Sequence, residues 1–354
     1  MGTDLAQETK HLEWADILKG LGILTVVWGH AGSKVSFYMF WFHMPLFFWI
    51  SGYLYSFKPM SKGTQYVQRK VKHLIVPYVF YLVLLTLPVL VFNGYKGYSA
   101  LEFWHQNWEA LLLGGSLLGG VYATFWFPTV LLFVQVVYDV LCRKLSSPLV
   151  RGLIIAGCFL LAYGESRYLP NTFVPWNLDV GLYAIVFYAL GHFMRRRKLL
   201  EDLKIRRMAF GIAWIIVLGF IYLYAHHFLD YGLDMKHRQY YYFGTNLLLP
   251  AAFIVLFVQL SMFLEHIQGL KQGLRYIGEA SMVIMYLHPG AAAFARRFLA
   301  VTPLRFFVIG MIVPLLFYQV IQHVPYGRYF ALGETRQKDN RNQTDFCNLS
   351  NKSV

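Results

Sequence analysis

The chain has 354 residues, of which 57% are hydrophobic and 14% are charged, and its formal net charge is +14. In soluble globular domains about a quarter of all residues are charged, so this composition excludes an ordinary soluble protein and indicates a polytopic membrane protein. The basic residues lie mainly between apolar runs, where they set membrane topology and attract anionic lipid. We therefore expect membrane lipid as a partner and no nucleic acid.

Ten apolar segments are long enough to cross the roughly 30 Å of hydrocarbon as helices, which satisfy their backbone polar groups internally. In chain order they lie at about residues 14–32, 37–57, 73–92, 124–142, 149–163, 177–194, 208–225, 241–264, 277–295 and 304–324. The alternating pattern of barrel strands is absent from these segments. The sequence therefore predicts an all-α polytopic transmembrane helix bundle of about ten helices.

Loop charge and composition predict the organisation around this bundle. The transmembrane domain covers residues 14–326, between an N-terminal segment at 1–13 and a polar tail at 327–354 that we expect to be disordered. With a cytoplasmic N-terminus, the inner loops hold most of the 32 lysines and arginines, as the positive-inside rule requires. Both termini are therefore predicted to be cytoplasmic.

Two predicted outer segments are too long to be simple turns. Residues 93–123 contain an apolar stretch that is too short to span, which we interpret as interfacial or re-entrant. Residues 226–240 carry side chains of metal-ligand type without a defined spacing: His226, His227, Asp230, Asp234 and His237. The three cysteines show no paired spacing either, so we expect no metal site.

The first predicted helix carries Asp16, Lys19 and His30. Ionisable groups in hydrocarbon cost roughly 2.5–3.5 kcal/mol on insertion scales and usually mark a polar interior. Asp16 and Lys19 can form an ion pair on one helix face, and His30 lies about 16 Å beyond Lys19 along the axis. A neutral imidazole suits a general base, although a lone histidine is often a hydrogen-bonded structural residue.

Later segments extend this polar pattern. His43 follows at the outer end of the second segment, and His288 lies in the ninth, within Tyr286-Leu287-His288-Pro289. Three imidazoles on three helices favour an intramembrane catalytic or proton-handling site. Arg69, Lys70 and Lys72 lie at the predicted cytoplasmic mouth of the third helix, where they either bind a phosphate-rich ligand or only set topology.

Five blocks of the chain carry a resemblance, in the same order. They are Glu13–Gly20 continuing to Trp28-Gly29-His30, Phe42–Tyr53, Arg69-x-x-Lys72 leading to Pro77-Tyr78, Phe125–Pro128, and Ile277–Ser281 with Tyr286–Pro289. Together they resemble the membrane acyltransferase-3 family of bacterial O-acyltransferases. The resemblance implies a multi-pass enzyme of the bacterial inner membrane that moves an acyl group, usually acetyl, from a cytoplasmic acyl-CoA such as acetyl-CoA to a hydroxyl of a cell-surface sugar or polysaccharide.

The resemblance also implies roles for individual residues. Lys19 and His30 match the basic residue and the histidine of the first family motif, with Asp16 beside Lys19. Arg69 and Lys72 match paired basic positions and, with Lys70, would hold the coenzyme A phosphates, although Lys72 stands where arginine is commoner. After Trp126, the chain has Phe127-Pro128 where the resemblance would lead us to expect Phe-Leu. The remaining expected site residues, on the acceptor side, are His43, Ser51, Trp126 and His288.

The chemistry then follows as a hypothesis. His30 acts as general base toward the acceptor hydroxyl, and Lys19, Ser51 or Tyr53 donates to the developing oxyanion. A covalent acyl-histidine intermediate is a second route. The alternative of another class is a secondary transporter or flippase with a histidine proton relay, whose inverted repeats we do not find. A sensor of surface glycans would not need a basic inner mouth.

Overall fold

The computed structural model describes residues 12–57, 63–240 and 242–334. Most of the predicted N-terminal segment and of the predicted tail therefore lies outside the described residues. The helices are α1 Glu13–Gly29, α2 Ser36–Phe40, α3 His43–Tyr53, α4 Gly63–Tyr95, α5 Ala100–Leu113, α6 Trp126–Lys144, α7 Pro148–Tyr168, α8 Val180–Arg196, α9 Leu203–Ala225, α10 Thr245–Leu264, α11 Gln268–Glu279, α12 Ser281–Ala295, α13 Pro303–Ile321 and α14 Gly327–Leu332. Strands β1 Leu233–Asp234 and β2 Gln239–Tyr240 form one short antiparallel pair.

The predicted all-α transmembrane bundle is confirmed, since each of the ten predicted segments contains a helix. Within the described residues, seven helical stretches are long and apolar enough to cross a membrane. They are Gly63–Tyr95, Gly120–Lys144, Pro148–Tyr168, Pro175–Arg196, Leu203–Ala225, Thr245–Leu264 and Pro303–Ile321. The helices at the other three predicted segments, α1, α3 and α12, are shorter than these spans.

The prediction of a continuous helix at 37–57 is wrong. The chain breaks at Trp41 and Phe42, where Phe42 has φ −147° and ψ −21°. Both rings are buried against distant parts of the chain. Trp41 packs edge-on against Tyr231 at 5.2 Å between ring centroids, and Phe42 stacks on Phe253 at 4.5 Å. Tertiary packing of these rings thus overrides the helical pattern.

Three further boundaries differ from the sequence prediction. The segment at 277–295 is interrupted at Ala280, between α11 and α12. Helix α4 begins at Gly63 rather than near residue 73. Its first turns are basic, so the apolar pattern of the sequence did not include them. The ordered chain extends past residue 327, since α14 packs on α4 and Gly333 lies against the backbone of His73.

The described chain divides into two compact units. Unit 1 contains residues up to 55, 187–235 and 239–281, and unit 2 contains residues 56–186, 236–238 and those from 282 on. The core of unit 1 is the packing of α1 on α11 and α10. A Cβ atom at Gly20 would overlap the carbonyl oxygen of Leu274, and one at Gly278 would overlap that of Asp16. Small residues therefore let these backbones touch, as is common where membrane helices pack closely.

In unit 2, the segment between α5 and α6 interrupts the helical pattern. After α5 the chain takes positive φ at Gly114 and Gly115, 63° and 61°, and then forms two short 3₁₀ turns. A Cβ atom at Gly114 would come within 3.2 Å of the hydroxyl oxygen of Tyr78, which lies near the middle of α4. The segment thus packs against α4, and its interpretation as interfacial or re-entrant stays a prediction.

Side chains from the α7–α8 connection hold the segment between α5 and α6, residues 114–125, in place. The indole N–H of Trp176 donates to the carbonyl oxygen of Leu112 at 2.9 Å. The side-chain oxygen of Asn177 accepts a hydrogen bond from the backbone N–H of Ser116 at 2.6 Å. These bonds satisfy backbone groups at Leu112 and Ser116 and tie the segment to the α7–α8 connection.

Candidate functional site

The ten predicted site residues divide equally between the two units. Unit 1 contains Asp16, Lys19, His30, His43 and Ser51, and unit 2 contains Arg69, Lys70, Lys72, Trp126 and His288. Each set therefore has surroundings of its own.

The predicted ion pair between Asp16 and Lys19 is present in α1. The ammonium of Lys19 donates to the Asp16 carboxylate at 2.8 Å, and the two side chains keep exposed fractions of 29% and 10%. At the same end of the helix, the Glu13 carboxylate contacts Lys271 and lies 3.8 Å from Arg275, both of α11. The start of α1 is thus charged, and its carboxylates are matched to cations.

His30 and His43 lie around one phenylalanine ring, and we call these two residues the imidazole pair. The Phe40 ring is edge-on to both, with centroid distances of 5.5 Å to His30 and 5.0 Å to His43. The Nδ1–H of His30 donates to the carbonyl oxygen of Val26 at 2.9 Å, and that of His43 donates to Met39. Donation from Nδ1 leaves Nε2 as the basic nitrogen of each ring.

Burial distinguishes the two imidazoles. His43 is 1% exposed, whereas His30 is half-buried at the end of α1. A general base must exchange its proton with the substrate and then with solvent, so the accessible ring suits this role better. Asp234 of β1 lies within electrostatic reach of His43, although the sequence analysis had considered it only as a possible metal ligand.

Ser51 and Tyr53 belong to α3. Ser51 is half-buried, and Tyr53 is 8% exposed. The Tyr53 ring stacks on Trp49 and meets Trp14 edge-on, each at a centroid distance of 5.2 Å. The choice among Lys19, Ser51 and Tyr53 as oxyanion donor stays a prediction.

In unit 2 the three basic residues of α4 have two different surroundings. Arg69 and Lys72 are exposed and three residues apart, so they share a helix face. The ammonium of Lys70 lies 5.5 Å from the Tyr66 ring centroid and within electrostatic reach of Asp139 in α6. Arg69 and Lys72 are therefore better placed than Lys70 to meet a ligand from solvent.

Sequence reasoning missed an ion pair in α6. The Arg143 guanidinium donates to the Asp139 carboxylate at 2.5 Å and lies over the Phe57 ring at 5.4 Å. Asp139 is 2% exposed. The sequence analysis treated the basic residues between apolar runs as topological, yet an acid and a base four residues apart in an apolar helix were a sufficient signal.

Trp126 and His288 are both buried in unit 2. Trp126 begins α6, and its carbonyl oxygen accepts a hydrogen bond from Thr129 at 2.7 Å. His288 is fully buried, its Nδ1–H donates to the carbonyl oxygen of Ile284 at 2.9 Å, and its ring is edge-on to Phe306 at 6.4 Å. Their expected contact with an acceptor stays a prediction.

The described residues include no group of three or more His, Cys, Asp or Glu side chains that would hold a metal ion. The outer segment at 226–240 therefore has no assembled metal centre in the part of the chain that the structure describes. The expected absence of a metal remains a prediction.

Comparison with known proteins links this geometry to one family. The acyltransferase-3 family model, described as an acyltransferase domain, matches residues 12–322. The match includes all ten predicted site residues and nearly all of the described helices. No curated protein and no solved structure matches the chain.

Proposed function

The chain belongs to the acyltransferase-3 family and is a multi-pass membrane acyltransferase, and from this premise we propose that it carries out acyl-CoA-dependent O-acylation. The acyl group, most simply acetyl, passes to a hydroxyl of a cell-surface glycan or glycan precursor. The proposed location is the bacterial inner membrane. Membership of this family favours the enzyme over the transporter or flippase alternative.

His30 is the proposed general base. Its Nδ1–H is held by the Val26 carbonyl, so Nε2 is the nitrogen that accepts the proton from the acceptor hydroxyl. The deprotonated oxygen then attacks the thioester carbonyl, and the thiol of coenzyme A leaves with the proton. Such proton transfer contributes about 10²–10⁴-fold to a rate. The single observation that carries this proposal is the half-buried His30 ring with its fixed tautomer.

The acyl donor is proposed to bind through Arg69 and Lys72. Both side chains are exposed on one face of α4, and phosphate groups are bound well by such pairs of cations. Lys70 is half-buried with its ammonium over the Tyr66 ring, so we give it a supporting role at this site. Asp16 accepts a hydrogen bond from the Lys19 ammonium at 2.8 Å and so positions it, and Lys19 is one candidate for oxyanion stabilisation.

The proposed reaction is tested by His30→Ala. Membranes are prepared from cells that express the wild type or the variant, and acetyl transfer from radiolabelled acetyl-CoA to the envelope glycan fraction is measured. We expect the variant to lose at least about a hundredfold in rate, while its unfolding midpoint in detergent stays close to that of the wild type.

The matched control is His323→Ala. His323 is exposed at the end of α13, and its Nδ1–H donates to the carbonyl oxygen four residues earlier, as that of His30 does. Its loss therefore reproduces the local backbone change without the proposed chemistry, and activity is expected to be unchanged. Wild-type transfer by His30→Ala would contradict the base assignment.

A further inference from the structure

Among the described residues of unit 2, three buried tyrosine hydroxyls that belong to one group of contacting rings have no hydrogen-bond partner. They belong to Tyr78 and Tyr81 of α4 and to Tyr286 of α12, and we call these residues the tyrosine cluster. Tyr81 and Tyr286 are 0% exposed, and Tyr78 is 8% exposed. None of them was singled out as a site residue by the sequence analysis.

Ring contacts join the three residues into one group. The Tyr81 and Tyr286 rings are stacked, with a centroid distance of 4.5 Å and an interplanar angle of 18°. Phe125 connects the group, because its ring is edge-on to Tyr286 at 4.8 Å and to Tyr78 at 5.1 Å.

Packing alone does not account for these hydroxyls. A buried hydroxyl without a partner destabilises the folded state, and native proteins keep few such groups. Phenylalanine would make the same ring contacts without this cost. Three such hydroxyls in one group therefore indicate that a polar molecule meets them in the working protein.

The segment between α5 and α6 borders the tyrosine cluster. Gly114 lies against the hydroxyl of Tyr78, and the chain there has the positive φ that glycine allows. At membrane depth, irregular backbone is tolerated where it is buried in protein or lines a polar cavity. The segment and the tyrosine cluster together thus form one polar region in the middle of α4.

We propose that the tyrosine cluster is a binding subsite for the hydroxyl groups of a neutral carbohydrate. This inference rests on the proposed function, because it assigns the acceptor to these residues. A phenol both donates and accepts a hydrogen bond, as a sugar hydroxyl does. The three side chains are uncharged, which suits a neutral sugar better than the phosphates of coenzyme A, and an alkyl chain would leave their hydroxyls unpaired.

The test is the double variant Tyr81→Phe with Tyr286→Phe, which keeps both rings. The full chain is purified in a detergent without a sugar head group, and thermal unfolding is recorded with and without millimolar maltose or N-acetylglucosamine. We expect the sugars to raise the unfolding midpoint of the wild type. In the double variant, the apparent affinity for sugar should fall about tenfold or more, the equivalent of one or two lost hydrogen bonds.

Stability without sugar gives a second readout. The double variant should unfold at the same temperature as the wild type or higher, because it no longer buries two unpaired hydroxyls. The control is Tyr231→Phe in unit 1, whose fully buried hydroxyl accepts a hydrogen bond from Asn246 at 3.3 Å. This control should lose stability and keep the sugar response.

His30→Ala separates this inference from the proposed function. That variant should keep the full sugar response although it loses acyl transfer, so failure of the base assignment leaves the sugar result intact. A wild type that shows no shift with either sugar would overturn the subsite. An unchanged shift in the tyrosine double variant would overturn it equally.

Discussion

The imidazole pair of unit 1 and the tyrosine cluster of unit 2 differ in how their polar atoms are held. In the imidazole pair, both rings donate from Nδ1 to a backbone carbonyl, which fixes the tautomer before any substrate arrives. In the tyrosine cluster, three hydroxyls have no partner among the described residues. A fixed proton position suits proton transfer, whereas unsatisfied hydroxyls suit the capture of a ligand that supplies the missing bonds.

The largest effect that tests this comparison is expected when each histidine of the imidazole pair is replaced in turn. We expect His30→Gln to lower kcat by about a hundredfold or more. His43→Gln should keep kcat within about tenfold, because a ring that is 1% exposed cannot pass its proton to solvent, and should instead raise the KM for the acceptor. Steady-state acyl transfer with varied acceptor measures both constants.

The opposite ranking of the two glutamine variants would contradict the distinction by burial. Circular dichroism of each purified variant should show wild-type helix content, so that a loss of kcat is not taken for a loss of fold.

A smaller effect is expected at the proposed acyl-donor site, where a variant should separate donor binding from acceptor binding. The double variant Arg69→Ala with Lys72→Ala should raise the KM for acetyl-CoA about tenfold, because two charge-assisted phosphate contacts are lost. The KM for the acceptor should not change. Initial rates at varied acetyl-CoA test this.

Lys70→Ala is the matched control for the donor site, since it removes a neighbouring charge from the same turn of α4. Lys70 is half-buried with its ammonium over the Tyr66 ring, and its proposed role in donor binding is only a supporting one, so we expect this variant to lose stability more than donor affinity. A KM for acetyl-CoA that is unchanged in the double variant would mean that these cations serve topology alone.

The smallest expected effect concerns α5, the helix that precedes the segment beside the tyrosine cluster. The backbone N–H of Ser99 and its hydroxyl donate to the Glu102 carboxylate and hold its pKa below the ordinary value. A lowered pKa in the folded state adds stability at neutral pH, and this contribution is lost as the pH falls through that pKa. Glutamine keeps the capping box without the charge.

We therefore expect wild type to unfold at a slightly higher temperature than Glu102→Gln at neutral pH, with the difference vanishing in acid. Glu109→Gln is the control, because Glu109 lies later in α5, away from the cap. A difference that persists unchanged in acid would contradict the role of the charge.

The sequence predicted the helices because their apolar periods are local, and the Asp16–Lys19 pair because both partners lie on one helix. It did not predict the break at Trp41 and Phe42, which depends on rings far along the chain such as Tyr231 and Phe253. For the same reason the shared contact of His30 and His43 with Phe40 was not foreseen. Nothing local distinguishes Tyr81 from the other tyrosines, and Tyr286 was noted only as part of the block around His288, because an unsatisfied hydroxyl is a property of the tertiary structure.

The direct backbone contact of α1 with α11, at Gly20 and Gly278, constrains motion in unit 1. Two helices whose main chains touch have no side-chain layer in which to slide, and the contacts of Glu13 with Lys271 and Arg275 tie them further at one end. A shift of α1 would therefore carry α11 with it as one stiff element. If substrate entry requires movement near His30, that movement must come from α2 and its flanking loops, since the helix that ends at this histidine is anchored.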